Sequence, residues 1–206
     1  MWRNIQQAWW QYRLKDPAYQ FLFDSPPDDD LICFDCETTG LNPKQDSIIS
    51  LSALKIRTSS VLTSQRLNLT IKPTMQMSAK SIVVHRLRHV DVEQGLEPSE
   101  AMQQFLSFIG SRPLVGYFLE FDVAMVNRLV KPWLGIGLPN RQIEVSQLYY
   151  QQFFKPHAPH QSESLDLSFN AILKQLDLPQ LGQHDAFNDA LMTAMIYLKL
   201  RRMRGG

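Results

Sequence analysis

The clearest pattern in the chain is an apolar stretch at residues 31–40 that carries two carboxylates and ends in a Thr-Thr-Gly turn. Such a run predicts a β-strand, in which residues two apart point to the same face. Asp35 and Glu37 would then present their carboxylates side by side among apolar neighbours. Because unpaired buried charge is costly and no Lys or Arg is adjacent, the pattern favours a bound cation over two solvated carboxylates on an edge strand.

Two further runs, residues 47–57 and 65–72, also have the composition of strands. The connection between them, residues 58–64, is short enough for antiparallel neighbours, so we expect a three-stranded meander. An apolar run at 113–118 predicts a buried strand, and residues 142–145 predict a short one.

Apolar residues at helical spacing predict helices at 98–110, 121–130, 164–176 and 185–202, and residues 151–161 are expected to form a loop. The last helix is apolar on almost every side, which is typical of a helix packed against a sheet. This order of strands and helices predicts an α/β fold, a mixed sheet flanked by helices with the first strand at its centre.

The amino-terminal part, residues 1–22, is predicted to be helical and aromatic, with a break at Pro17, and residues 25–30 have the composition of a linker. We therefore expect an N-terminal helical arm and linker at 1–29 and one main domain at 30–206. The arm is expected to pack across the main domain; the alternative is that it docks onto a protein partner.

Composition excludes several classes of protein. The net charge is +1, with 44% hydrophobic and 20% charged residues, so any contact with nucleic acid must be local. No apolar run is long enough to span a membrane, and the start lacks a signal-peptide core, so we expect a cytoplasmic protein. Cys33 and Cys36 would lie on opposite faces of the strand, which favours buried thiols over a redox or zinc motif.

Two more carboxylates are candidates for chemistry. Asp122 lies at the start of a predicted helix, where an ordinary acidic residue is also favoured by the helix dipole. Asp189 lies in the first turn of the apolar last helix, just after His184, and needs a positive partner there.

Taken together, residues 35–40, 116–122 and 184–190 resemble the three exonuclease motifs of the DEDDh family, in the family's order and with its His-to-Asp spacing. This family includes the epsilon proofreading subunit of bacterial DNA polymerase III. The resemblance implies a ribonuclease H-like fold and a 3'-to-5' exonuclease that releases nucleoside 5'-monophosphates from DNA, most readily from single strands.

By the same resemblance, Asp35, Glu37, Asp122 and Asp189 bind two divalent cations, Mg²⁺ or Mn²⁺, and His184 is the general base. The residue types suit these roles. Carboxylates are preferred ligands of hard cations, and imidazole accepts a proton near neutral pH.

The resemblance also implies contacts with the terminal nucleotide from Thr38, Thr39 and Leu41. Many family members have His-Asn after the glycine of the second motif, where this chain has Tyr117 and Phe118. Stacking by these aromatic rings would replace polar sugar contacts.

A second departure from the family lies at His85, where Arg86 and Arg88 follow instead of the common Gly-Ile-Thr, and one of these arginines is a candidate phosphate contact. Two other functions are considered: an exoribonuclease with the same chemistry, and a non-catalytic interaction module, which the presence of all five catalytic-type residues disfavours. No polymerase domain is expected in the chain, so proofreading would need a partner in trans.

Overall fold

The computed structural model describes residues 2–73, 94–154, 165–182 and 184–205. Its strands form one five-stranded mixed sheet in the order β3-β2-β1-β4-β5. The three long strands pair antiparallel, whereas β4 and β5 continue the sheet in parallel on the other side of β1. The predicted meander and the central position of the first strand are therefore confirmed. The bounds are β1 Leu31–Thr38, β2 Ile48–Arg57, β3 Ser60–Thr70, β4 Leu114–Gly116 and β5 Gln142–Glu144.

Helices cover both faces of the sheet. The even-numbered residues of β1, such as Phe34, pack in one core with α2 and α3, and Cys33 packs in a second core with α4, α5 and α6. Asp35 and Glu37 continue the face of Cys33, so the alternation of the strand directs them toward α6. The helices are α1 Trp2–Arg13, a 3-10 helix Pro17–Phe23, α2 Pro98–Ile109, α3 Leu119–Leu134, α4 Val145–Phe153, α5 Phe169–Gln175 and α6 Ala186–Gly205.

The capping signals of α2 act as predicted. Pro98 occupies the first turn, and Gly110 ends the helix with a positive φ of 52° that glycine adopts without steric cost. The two thiols are free and buried on opposite faces of β1, as expected. Among the described residues, none of the helices is long and apolar enough to cross a membrane.

Three predicted boundaries are wrong. Strand β3 begins at Ser60, because Thr58 takes a left-handed φ of 52° and allows a short hairpin turn without glycine. Helix α5 begins only at Phe169, because the side chain of Asp166 accepts a hydrogen bond from the N–H of Ser168 and forms a turn first.

The third boundary lies between α4 and the predicted loop at 151–161. Residues 151–153 belong to α4, whose apolar face continues from the buried Val145 and Tyr149 to Phe153. Residues 155–164, and the segment with His85, Arg86 and Arg88, lie outside the described residues.

Two bidentate ion pairs connect the predicted linker to the rest of the domain. Arg57 of β2 donates from Nε and Nη2 to the two carboxylate oxygens of Asp30 at 2.8 and 2.7 Å. Arg112 binds Asp28 in the same way, at 2.9 and 2.7 Å. The Asp30 side chain is only 1% exposed, so the first pair holds a buried charge. The linker is therefore part of the folded domain's surface.

We expect Arg57→Ala to lower the free energy of unfolding by about 1–3 kcal/mol, because it leaves the buried Asp30 carboxylate without its partner. Urea denaturation measures the change. Lys72→Ala is the matched control: it breaks an ion pair to Glu97 in which both side chains are exposed, and should cost less than about 1 kcal/mol. Equal losses in the two variants would contradict this account.

Candidate active site

Three carboxylates converge where β1 meets the start of α6. Asp35, Glu37 and Asp189 each offer an oxygen such that the three oxygens lie within 4.8 Å of one another. Two of them come from alternate positions of β1 and the third from the first turn of α6, which crosses that face of the sheet. The Sγ of Cys33 donates a hydrogen bond to the carbonyl of Ala190 at 3.2 Å, so strand and helix touch directly beside the cluster.

Asp122 reaches the same place from the opposite face of the sheet. It is buried in the first turn of α3, and its Oδ1 accepts a hydrogen bond from the backbone N–H of Cys36 at 3.2 Å. Strand β4 pairs with β1 only at Ile32 and Cys33, so it does not extend far enough to pair with Cys36. The carboxylate of Asp122 thus binds β1 beyond the end of β4, at the residue between Asp35 and Glu37.

Burial and the neighbouring negative charges raise the pKa values of Asp35, Asp122 and Asp189. Desolvation raises the pKa of Asp35 well above its usual value, and the charges of Asp122, Asp189 and Glu37 add to it. Desolvation likewise raises the pKa of Asp122, although the hydrogen bonds from Cys36 oppose the rise.

The pKa of Asp189 rises to about 6, again through desolvation first and the charge of Glu37 second. Its Oδ1 is buried without a hydrogen-bond partner among the described residues. An orphaned carboxylate oxygen facing like charges is the arrangement that a divalent cation relieves, and oxygen donors are what Mg²⁺ and Mn²⁺ prefer. The residues present therefore fit a divalent metal.

His184 lies at the exposed rim of this cluster. Its backbone has a left-handed φ of 60°, and its backbone N–H donates a hydrogen bond to Oδ2 of Asp189 at 3.1 Å. The side chain of Asn188 stabilises the loop around His184 by donating a hydrogen bond to the carbonyl of Gly182 at 3.0 Å. Asp185 precedes α6 and caps it: its carboxylate accepts a hydrogen bond of 2.9 Å from the backbone N–H of Asn188. The histidine is thus held next to the carboxylates while it stays accessible.

The turn after β1 presents a single large apolar side chain. The carboxylate of Asp46 accepts from the hydroxyl of Thr39 and from the N–H of Asn42, at 3.2 and 2.8 Å. Thr38 closes the turn by donating to the carbonyl of Gly40 at 2.7 Å. At the tip of this braced turn, Leu41 is 86% exposed.

Phe118 provides a second exposed apolar side chain, directly before α3. It is 71% exposed and has a left-handed φ of 55°. Tyr117 instead turns inward, packs on Phe169 with 4.8 Å between ring centroids, and donates its hydroxyl proton to the carbonyl of Leu167. The two aromatic residues at the departure from the family pattern therefore have different environments, and Phe118 is the more exposed of the two.

Sequence reasoning missed Glu144, which joins two helix starts. Its Oε2 accepts from the N–H of Leu119 at 2.9 Å, and its Oε1 accepts from the N–H of Ser146 at 2.9 Å. One carboxylate thereby caps both α3 and α4, and it places the turn that carries Phe118. A carboxylate at the end of a short strand just before a helix was the available signal, but its second partner is 25 residues away.

Comparison with known proteins places these residues in a family. The family model RNase T, described as "Exonuclease", matches residues 32–197. The DNA polymerase III PolC-type protein of Thermotoga petrophila is 26% identical over 190 residues, covering 92% of this chain and 13% of that protein. The protein of the same name from Listeria innocua is 29% identical over 170 residues, covering 81% of this chain and 11% of its own length. The chain therefore spans a small fraction of these curated relatives.

Solved structures share the fold at low sequence identity. Cell-death related nuclease 4 superposes with a TM-score of 0.68 at 15% identity, covering 86% of this chain and 65% of that chain. E. coli Exonuclease I in complex with an oligonucleotide superposes with a TM-score of 0.69 at 14% identity, covering 86% of this chain and 42% of that chain. Exonuclease X in complex with 5' overhanging duplex DNA gives 0.64 at 19% identity, covering 85% and 93%. These likenesses confirm the predicted ribonuclease H-like α/β fold.

We expect the metal-free protein to lose stability as the pH rises from about 4 to about 7. A carboxyl group whose pKa is raised by folding stabilises the folded state below its unfolded value near 3.9, and this stabilisation is lost as the pH rises through the folded value. For Asp189 that window ends just above its folded pKa of about 6. Because Asp189 is partly exposed, solvent screening reduces its effect, and its ionisation should lower the free energy of unfolding by about 1–2 kcal/mol. This corresponds to a fall in Tm of roughly 2–8 °C.

Thermal unfolding in a chelating buffer measures this loss. Mg²⁺ or Mn²⁺ should restore more stability at pH 8, where the carboxylates are ionised, than at pH 5. The variant Asp189→Asn should show a weaker pH dependence than the original chain. A metal-free Tm that is constant or rises over this range would contradict the repulsion described above.

Proposed function

The chain belongs to the RNase T exonuclease family, and we propose that it removes nucleotides one at a time from the 3' end of single-stranded DNA. The observation that carries this proposal is the convergence of Asp35, Glu37 and Asp189 within 4.8 Å, with Asp122 beside them. These carboxylates and His184 occur in the order of the DEDDh motifs. The relatives named DNA polymerase III favour DNA over RNA as the substrate.

Asp35, Glu37, Asp122 and Asp189 would hold two divalent cations, Mg²⁺ or Mn²⁺. When bound, such ions lower the pKa of a water molecule and offset the charge on the scissile phosphate. The raised pKa values of Asp35, Asp122 and Asp189 support this assignment, because a bound cation favours the ionised carboxylates and so offsets their desolvation and mutual repulsion.

His184 is the general base. An imidazole nitrogen accepts a proton from the attacking water, whose oxygen forms the new bond to phosphorus. The bond from phosphorus to the 3' oxygen of the preceding nucleotide breaks, so the phosphate leaves on the 5' side of the released nucleoside. The hydrogen bond from the His184 N–H to Asp189 holds the base next to the carboxylates that position the substrate.

Thr38, Thr39, Leu41 and Phe118 bind the terminal nucleotide. The two threonine hydroxyls make hydrogen bonds within the turn and so hold its conformation. Leu41 and Phe118 are exposed apolar side chains on rigid turns, and each offers a surface on which a base or sugar can pack. Residues 30–206 form the exonuclease domain, and residues 1–29 form an arm and linker; the family match begins at residue 32, which supports this division.

Hydrolysis of matched 5'-labelled single-stranded DNA and RNA in Mg²⁺ or Mn²⁺ tests the proposal. We expect a ladder that shortens from the 3' end, faster on DNA, and absent in Asp35→Ala. Asp29→Ala is the control, because Asp29 is an exposed linker carboxylate. Intact strands under every metal condition would overturn the proposal, and faster loss of RNA would reassign the substrate.

We expect His184→Ala to slow the reaction by about 10²- to 10⁴-fold, the usual contribution of a positioned proton acceptor. Binding of a labelled oligonucleotide should be unchanged, since His184 acts on the water and not on the strand. Fluorescence anisotropy measures the binding and a quenched-flow or gel assay measures the rate. Equal losses of binding and rate would mean that His184 holds the substrate instead.

A further inference from the structure

A groove leads from the candidate active site to the N-terminal arm. Its near part, of about 720 Å³, is lined by Phe118 and by residues of α3, β5 and α4. Its far part, of about 330 Å³, is lined by Trp9, Arg13 and Lys131 among others. Both parts include Gln142, an exposed residue of the edge strand β5. The two cavities therefore adjoin, and we call them together the arm groove.

The floor of the arm groove is one face of α3. Glu120 and Ala124 line the near part, and Asn127 and Lys131 line the far part. Their spacing of four, three and four residues places all of them on the same side of the helix. From Phe118 to Lys131 the helix rises by about 20 Å at 1.5 Å per residue. That length corresponds to about six nucleotides at the 3.4 Å rise of one strand of B-DNA.

The far part of the arm groove combines an aromatic ring with positive charge. Trp9 is 52% exposed, and the guanidinium carbon of Arg13 lies 4.8 Å from the centre of its ring. Lys131 is also exposed, and none of the residues that line this part is acidic. An exposed aromatic side chain flanked by cations is what single-stranded nucleic acid binds, through base stacking and phosphate contacts.

The near part has the opposite character. Glu120 and Glu144 line it, and no Lys or Arg does. Of the two aromatic residues that line it, Phe118 is exposed and Phe121 is half-buried. A strand therefore gains its phosphate contacts at the far end of the groove, about 20 Å from the turn that carries Phe118.

The position of the arm relative to α3 is fixed by several contacts. The backbone N–H of Lys15 donates to the carbonyl of Leu134 at 2.9 Å, and its Nζ donates to the carbonyl of Pro132 at 3.2 Å. At Gly135, a Cβ atom would lie 2.7 Å from the carbonyl oxygen of Arg13, so the arm passes too close for any other residue. Trp9 and Arg13 are thus held against the end of the groove.

We propose that the arm groove binds the single-stranded nucleic acid upstream of the 3' end, with a base stacked on Trp9 and phosphates at Arg13 and Lys131. This inference rests on the proposed function, because the 3' terminus must lie at the carboxylates. The positive charge of the far part favours a nucleic-acid strand over a protein as the occupant, and so does Phe118, which lines the near part and is proposed to bind the terminal nucleotide. The arm then makes the enzyme sensitive to the length of its substrate.

The test compares kcat/KM on a three-nucleotide and a 20-nucleotide DNA strand. We expect the full chain to prefer the longer strand, and Trp9→Ala to lower kcat/KM on it about tenfold while leaving the short strand unaffected. Trp9→Phe should recover part of the loss, since it keeps an aromatic face. The double variant Arg13→Ala/Lys131→Ala should reduce the slope of log affinity against log salt by about 1.4, at about 0.7 per phosphate contact on a single strand.

Two control variants match these changes. Tyr12→Ala removes another exposed aromatic side chain of α1 that does not line the groove. Arg202→Ala removes one positive charge from the exposed C-terminal end of α6, away from the groove. Both should leave the length preference intact, and unchanged cleavage of the short strand by every variant reports that the fold is preserved.

The possible failures are distinguishable. If the chain cleaves both strands but Trp9→Ala keeps the length preference, the inference is overturned and the exposed aromatic residues of the arm are left for a protein partner. If the chain cleaves neither strand, the proposed function fails. Fluorescence anisotropy with a labelled 20-nucleotide strand then shows whether the arm groove binds single-stranded DNA. Weaker binding by Trp9→Ala and by the double variant would then still support a nucleic-acid site, and unchanged binding would overturn it.

Discussion

Repulsion among four carboxylates at one end of the sheet is the constraint on which the rest of the structure depends. Asp35, Glu37, Asp122 and Asp189 come from three separate elements, and the raised pKa values of Asp35, Asp122 and Asp189 reflect the free-energy cost of bringing these groups together. The surrounding packing must supply that energy. Strand β1 is hydrogen-bonded on both sides, and α6 lies across it with an apolar surface on nearly every side. Neither element can move away from the other without exposing a core.

Two helix N-termini reduce the repulsion. Asp122 and Asp189 both lie in the first turn of a helix, where unpaired backbone N–H groups and the helix dipole favour negative charge. Each carboxylate also accepts a backbone hydrogen bond, from Cys36 and from His184. These contacts hold the oxygens in place before any cation binds, so the cost of organising the site is met by the fold. A pre-organised set of ligands is what a metal-dependent hydrolase needs.

The same helix α3 connects the chemistry to the arm. Its first turn carries Asp122 behind Phe118, its exposed face forms the floor of the arm groove, and its last turn receives the hydrogen bond from Lys15. Glu144 fixes the beginning of this helix from the neighbouring strand. A shift of α3 would therefore change the carboxylate cluster, the position of Phe118 and the position of the arm at the same time.

The amino-acid sequence by itself determined the features that depend on local pattern. Alternation along β1 placed Asp35 and Glu37 on one face, proline and glycine bounded α2, and the apolar surface of α6 marked it as a helix against the sheet. The five site candidates were recognisable because each lies in a short motif, and their roles remain proposals. Tertiary structure alone decided what depends on partners distant in sequence. The left-handed Thr58 shortened the hairpin, Glu144 acquired a second helix to cap, Tyr117 turned inward while Phe118 stayed exposed, and the arm came to lie beside Lys131. In each of these cases the deciding contact joins segments that local propensity treats independently, or a backbone conformation that the residue type alone disfavours.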